Sequence, residues 1–235
     1  MFNKLTPINP KAHQNTKVKK VEDYSFASSY NLASVMIHEF IRSTTNFPIV
    51  FFENPKTKEF RPVVLLGVTQ GENLFVQNGK WTAPYIPAII RRYPFALMPV
   101  EGQKDKFSMC IDEGSELVNE TEGRPLFEEN GTPAELFNEI KKYLGELQKM
   151  DAFTEKFCQY FKNKELFAPL NMTYKDEAGQ SKKLSGFSII HEDKLNKLPD
   201  EEFLEIRKSN FLAPIYAHLT SLGQIEKLSQ IKQSL

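Results

Sequence analysis

Apolar residues in the first half of the chain come in short blocks broken by polar turns. Residues 47–52 and 61–68 are runs of strand length, separated by the polar, proline-containing stretch ENPKTKEF. Residues 73–77 follow Gly71 and lead into Gln77-Asn78-Gly79-Lys80, where an Asn-Gly pair suits the positive φ angles of a tight hairpin. Trp81 lies just past that turn. Residues 93–100 and 106–112 predict a second hairpin around Glu101-Gly102-Gln103-Lys104. His38-Glu39-Phe40-Ile41 predicts a short helix ahead of the 47–52 strand.

Past Gly131 the spacing changes. Thr132-Pro133-Ala134-Glu135 has the form of a capping box with proline at the first helical position. Leu136, Phe137, Ile140, Tyr143, Leu144 and Leu147 then recur at helical spacing. A second amphipathic helix is predicted over 152–164, with Phe153, Phe157, Tyr160 and Phe161 on one side. Strand signals return at 170–174 and 183–190, joined by DEAGQS, and helices follow at 201–208, 212–222 and 224–232 with Gly223 at a handover. No regular βαβ rhythm appears, so the expected class is α+β. Its parts are mostly antiparallel N-terminal strands, a central amphipathic helix pair, a late hairpin and C-terminal helices. Residues 1–22, with Lys4, Lys11, Lys17, Lys19 and Lys20 and few large apolar groups, predict a flexible basic leader. Residues 23–235, without a Gly/Ser-rich linker, predict a single domain.

Charge and cysteine content narrow the function classes. Thirty basic and thirty acidic residues cancel, which removes the long-range attraction of a general nucleic-acid or anionic-membrane binder. A nucleic-acid partner is therefore not expected. The two cysteines, Cys110 and Cys158, form no CxxC motif or disulfide framework and suit a reducing compartment. The first twenty residues lack a secretory apolar core, and no run approaches the roughly 20 apolar residues of a membrane span. The expectation is a cytoplasmic protein without a membrane span, with export by a dedicated system left open.

Motifs for familiar chemistry are missing: there is no GxGxxG, Walker A, GxSxG or HExxH. The histidines occur singly, with no i,i+4 pair, so no metal or cofactor is implied. His38-Glu39, Asp112 beside Glu113, and His191-Glu192-Asp193 are weak candidates for general-base or ligating roles, and a structural role outweighs each. The distinctive run is Trp81-Thr-Ala-Pro-Tyr85-Ile-Pro-Ala-Ile-Ile-Arg91-Arg92-Tyr93-Pro-Phe95. Its prolines stiffen the backbone, and Trp81, Tyr85 and Tyr93 supply rigid surface. Arg91 and Arg92 on such a frame suit an anionic ligand, gripping a carboxylate or phosphate. The competing arrangement pairs one arginine with Asp112 or Glu122 and leaves the other in water. Glu122-Gly123-Arg124-Pro125-Leu126-Phe127 reads as a loop that plugs its apolar pair into the core.

These residues resemble a bacterial family, the SapC family, which is distinct from the transporter membrane subunit of the same name. The likeness rests on Phe47-Pro-Ile-Val-Phe51, Leu66-Gly67, Asn73-Leu-Phe75, Trp81, the run from Tyr85 to Phe95, and the loop from Glu122 to Phe127. Gly186-Phe187, Leu195, Leu198 and Tyr216-Ala-His-Leu-Thr-Ser-Leu222 extend it, so that it covers residues 24–228. One departure is His191-Glu192, where the family often has an acidic pair. The resemblance implies no agreed activity. It implies an association with surface-layer genes and with neighbours such as tryptophan halogenases and outer-membrane receptors. The expectation is a non-catalytic binding, assembly or accessory protein with a protein or peptide partner, linked to surface-layer or envelope proteins. The alternative is an enzyme or catalytic accessory in a modification pathway, built from His38, Glu39, Arg91, Arg92, Asp112, His191 and Glu192.

Overall fold

A computed structural model describes residues 2–103, 106–175 and 179–234. Lys104 of the expected second turn and residues 176–178 of DEAGQS lie outside the described residues. The fold is α+β. Its largest sheet has five strands in the order Phe167–Pro169, Phe187–Ile190, Ile49–Glu53, Phe60–Leu65, Leu32–Ser34, every neighbouring pair antiparallel. Ile49, Val50 and Phe51 are fully buried, as a continuous apolar run in a central strand requires. The Asn78-Gly79 turn forms with both φ angles positive and joins Val76–Gln77 to Lys80–Trp81. The expected second hairpin forms as well, Phe95–Pro99 against Phe107–Asp112.

The first 22 residues are not a flexible leader. Leu5–Pro7 pairs with Phe107–Asp112 and extends that hairpin to three strands. Lys17–Val18 lies between Val118–Asn119 and Arg124–Pro125 in another small sheet. This segment is poor in large apolar groups, but it is held through backbone hydrogen bonds to exposed strand edges, which composition does not report. Leu126 and Phe127 are buried, as the loop reading expected.

The central helix pair is also corrected: Glu135–Asn163 is one helix of 29 residues, about 44 Å long at 1.5 Å per residue. The apolar period lapses around Asp151 because the helix changes partners there. Leu136 and Leu144 pack with Val18, Phe95, Ile111 and Leu126 in a smaller core. Phe157 and Phe161 belong to the larger core under the five-stranded sheet. The capping box does not form. Thr132 turns its hydroxyl to Asn130, Glu135 reaches Arg124, and Ala134 stands at the N-cap without a side-chain bond. The late hairpin splits in two. Met172–Lys175 pairs with Ser181–Leu184, and after Gly186, at φ 87°, the Phe187–Ile190 strand leaves for the large sheet.

A buried imidazole ties the C-terminal helices to that sheet. The ladder between Phe187–Ile190 and Ile49–Glu53 is paired at Phe187 with Phe52 and Ser188 with Phe51. Two residues further on, His218 of the Leu212–Ser221 helix sits between the strands. Its Nε2 accepts from the Ile190 N–H at 3.1 Å, and its Nδ1 donates to the Ile49 carbonyl at 2.8 Å. Ser221 accepts from the Ile49 N–H, so one helix satisfies both backbone groups of one strand residue. The Nε2 bond requires a neutral ring, and burial holds the His218 pKa down at about 4, against 6.5 in the open chain.

A lowered histidine pKa has a definite sign in stability. Below pH 6.5 the unfolded chain takes up a proton that the folded chain refuses until about pH 4. This contribution is whole above pH 6.5 and is lost as pH falls to 4, on the order of 3 kcal/mol in total. Urea unfolding across pH 4–7 is expected to show that slope, and His218→Gln, less stable at pH 7, is expected to flatten it. Equal slopes in both proteins would remove His218 as the cause.

Candidate functional site

The stiff run from Trp81 to Phe95 is anchored largely by its own aromatic residues. Trp81 Nε1 donates to the Tyr85 carbonyl at 2.9 Å, closing the loop before the short Ala88–Arg91 helix. The Tyr85 hydroxyl and the Ala88 N–H both donate to Glu39 Oε1, at 2.6 and 2.8 Å, while Glu39 Oε2 accepts from the Met36 N–H. Burial and the adjacent carboxylate push the Tyr85 phenol well above its ordinary pKa. Tyr93 precedes a cis peptide to Pro94. Its buried ring stacks on Phe26 at 4.1 Å and its hydroxyl donates to Asp112 at 3.3 Å. Three of the five expected binding residues, Trp81, Tyr85 and Tyr93, thus hold the segment in place.

The two arginines part company. Arg91 is exposed, donates Nε to the Ile86 carbonyl, and lies over the Tyr85 and Tyr143 rings at 5.6 and 5.9 Å. Arg92 is half-buried with its guanidinium 5.7 Å from the Phe2 ring, and its Nε is shielded from water without a partner. Burial lowers its pKa. Neither arginine pairs with Asp112 or Glu122. Asp112, fully buried, accepts instead from the N–H groups of Asn3, Lys4 and Gly114 as well as from Tyr93. Glu122 faces Lys19 at 3.7 Å.

Around Arg91 and Arg92 a groove of about 450 Å³ opens between the small three-stranded sheet and the long helix. Lys19 and Lys20 form one wall and Arg124 another, above a floor that includes Val18, Phe95, Leu136 and Ile140. Among the described residues no Asp or Glu lines it. Arg124 is held by Glu135 and Glu139, whereas Arg91 and Lys20 have no carboxylate partner among the described residues. Gly123 lets the walls close. At φ 104°, a Cβ there would stand 2.4 Å from the Val18 carbonyl oxygen. Arg91, Arg92 and Lys20, without a carboxylate partner among the described residues, give a local positive field on a neutral chain.

Lys19, Lys20 and Arg124 were missed as site residues. Their signals, the KVKK run and the EGRP turn, were visible, but the register that sets Arg124 opposite Val18 was not. The catalytic candidates lie in separate surroundings. His38 is exposed against Phe153, and His191 leads into the short Glu192–Leu195 helix with Glu192 exposed in its first turn. Glu39 and Asp112 are spent on the donors above. Cys158 is a buried thiol whose pKa burial pushes up to about 12. Among the described residues no group of three or more His, Cys, Asp or Glu is placed to hold a metal ion. No described helix is long and apolar enough to cross a membrane.

A family model described as SapC matches residues 8–228, nearly the whole chain, and the chain belongs to that family. The match takes in the strand at Lys17–Val18, which residue resemblance alone had left outside. No curated protein and no solved structure matches it.

Asp112 is a test of structural against chemical use. An asparagine retains one accepting oxygen for four donors and turns an amide N–H₂ toward the rest, so Asp112→Asn is expected to cost about 3 kcal/mol. Hydrogen exchange at the Asn3 and Lys4 amides is expected to accelerate alongside. A loss below about 0.5 kcal/mol would return Asp112 to the catalytic candidates.

Proposed function

We propose that this SapC-family chain is a non-catalytic binding or accessory protein that holds an acidic segment of a partner protein in the groove lined by Arg91, Arg92, Lys19, Lys20 and Arg124. One observation carries the reading: cations from three separate stretches of sequence meet over an apolar floor that, among the described residues, no carboxylate lines. Arginines over tyrosine rings grip carboxylates with defined geometry, and the floor accepts apolar side chains beside them. The family's association with surface-layer genes makes a surface-layer or envelope protein the fitting partner class. The rival reading, an enzyme or catalytic accessory, would need His38, Asp112 and His191 to converge, and they occupy different parts of the fold.

Selection from a random-peptide library at low salt tests this directly. Enriched peptides are expected to carry Asp or Glu next to Leu or Phe, and to bind several-fold more weakly as salt rises. The Arg91→Ala/Lys20→Ala double variant is expected to lose them at least tenfold. Enrichment of neutral or basic peptides, or the same peptides binding the double variant equally well, defeats the reading.

A further inference from the structure

On its other side Arg92 lines a second cavity, of about 360 Å³, between the long helix, the five-stranded sheet and the Phe95–Pro99 hairpin. Arg91, Lys19 and Lys20 have no part in it. Val35, Ile89, Leu97, Leu144 and Leu147 are among its apolar lining residues, and Phe107, 43% exposed, also lines it. Arg61 and Asp151 also line it, already paired with each other at 3.0 Å. Arg61 is engaged by Glu155 too. Arg92 differs: its guanidinium makes no hydrogen bond to protein and has no carboxylate within ion-pair distance among the described residues, and its Nε is cut off from water. A half-buried cation with unmet donors beside an apolar cavity is costly unless an anion completes it.

We propose that this cavity binds a small aliphatic monocarboxylate, with the carboxylate on Arg92 and the hydrocarbon body against the Leu144–Leu147 face of the long helix. A carboxylate seated end-on would take N–H groups of the two terminal nitrogens as a parallel pair, a fork-to-fork geometry that suits a guanidinium. One negative charge fits: a single unpaired cation faces the cavity, and Asp151 at its rim disfavours a dianion. The volume is ample for a chain of about eight carbons. The proposal goes beyond the groove reading and does not depend on it.

Titration calorimetry with octanoate, 1-octanol and octylamine decides the matter. Octanoate is expected to bind saturably at one site, at least tenfold more tightly than 1-octanol, while octylamine fails to bind. Arg92→Gln is expected to weaken octanoate at least tenfold, whereas Arg91→Ala/Lys20→Ala changes it less than twofold, which separates this site from the groove. Leu147→Trp fills the cavity without altering charge and is expected to abolish binding, a second test if Arg92→Gln does not fold. Equal binding of 1-octanol, octanoate affinity surviving Arg92→Gln or Leu147→Trp, or no saturable binding of octanoate overturns the proposal.

Discussion

Asp112 is a fully buried carboxylate that collects uncharged donors and no cation, and the arrangement of the candidate site follows from that choice. By accepting from the Asn3 and Lys4 N–H groups it fastens the first residues of the chain to the end of the Phe107–Asp112 strand. By accepting from Tyr93 it fixes the end of the aromatic run on the neighbouring strand. Hydrogen bonds to an ionised acceptor are worth more than neutral ones, and four of them can replace a salt bridge. Had Asp112 paired with Arg92, that arginine would be neutralised. As it stands, the acid is satisfied by backbone and phenol, and Arg92 keeps its charge with Phe2 beneath it.

The long helix does the complementary work. Its first half closes the small core and its second half the large one, so the seam between the cores runs beneath its middle. The cavity on the Arg61 side of Arg92 lies along that seam, whereas the groove toward Lys19 and Lys20 opens beside the first turns of the helix, at Leu136 and Ile140. A seam is where packing is least complete, because side chains there serve neither core fully. The Arg61 pairs with Asp151 and Glu155 brace the middle of the helix against the large sheet. Arg92 alone lines both the groove and the cavity at this joint.

Local chemistry was largely legible in the sequence. The Asn78-Gly79 turn, the Phe95–Pro99 hairpin, the plug at Leu126 and Phe127, and the C-terminal helices all follow from short-range patterns. What failed were judgements that depend on a distant partner. The Lys-rich leader looked disordered because its contribution is backbone pairing. The helix pair was one helix because the apolar stripe moved to a new core rather than ending. His218, whose two hydrogen bonds stand in where two strands part, carried no signal beyond a lone histidine on an apolar helix. Of the candidate groove, Arg91 and Arg92 were legible as cations on a stiff segment. Lys19, Lys20 and Arg124 needed the register of a two-residue strand, Lys17–Val18, too short to read.

The neutral net charge and the basic groove are compatible, and the reason lies in how the charges are spent. Glu113 serves Lys4, Glu72 serves Lys232, and Asp151 with Glu155 serves Arg61, each pair held within its own part of the fold. Each such pair cancels its own charge locally. Arg91, Arg92 and Lys20 stand outside this pairing, and all three line one groove. At physiological salt a charge is felt over about 8 Å, so a partner approaching the groove meets those cations rather than the sum over the chain. Overall neutrality therefore excludes a general pull on polyanions while leaving room for selective recognition of one acidic segment.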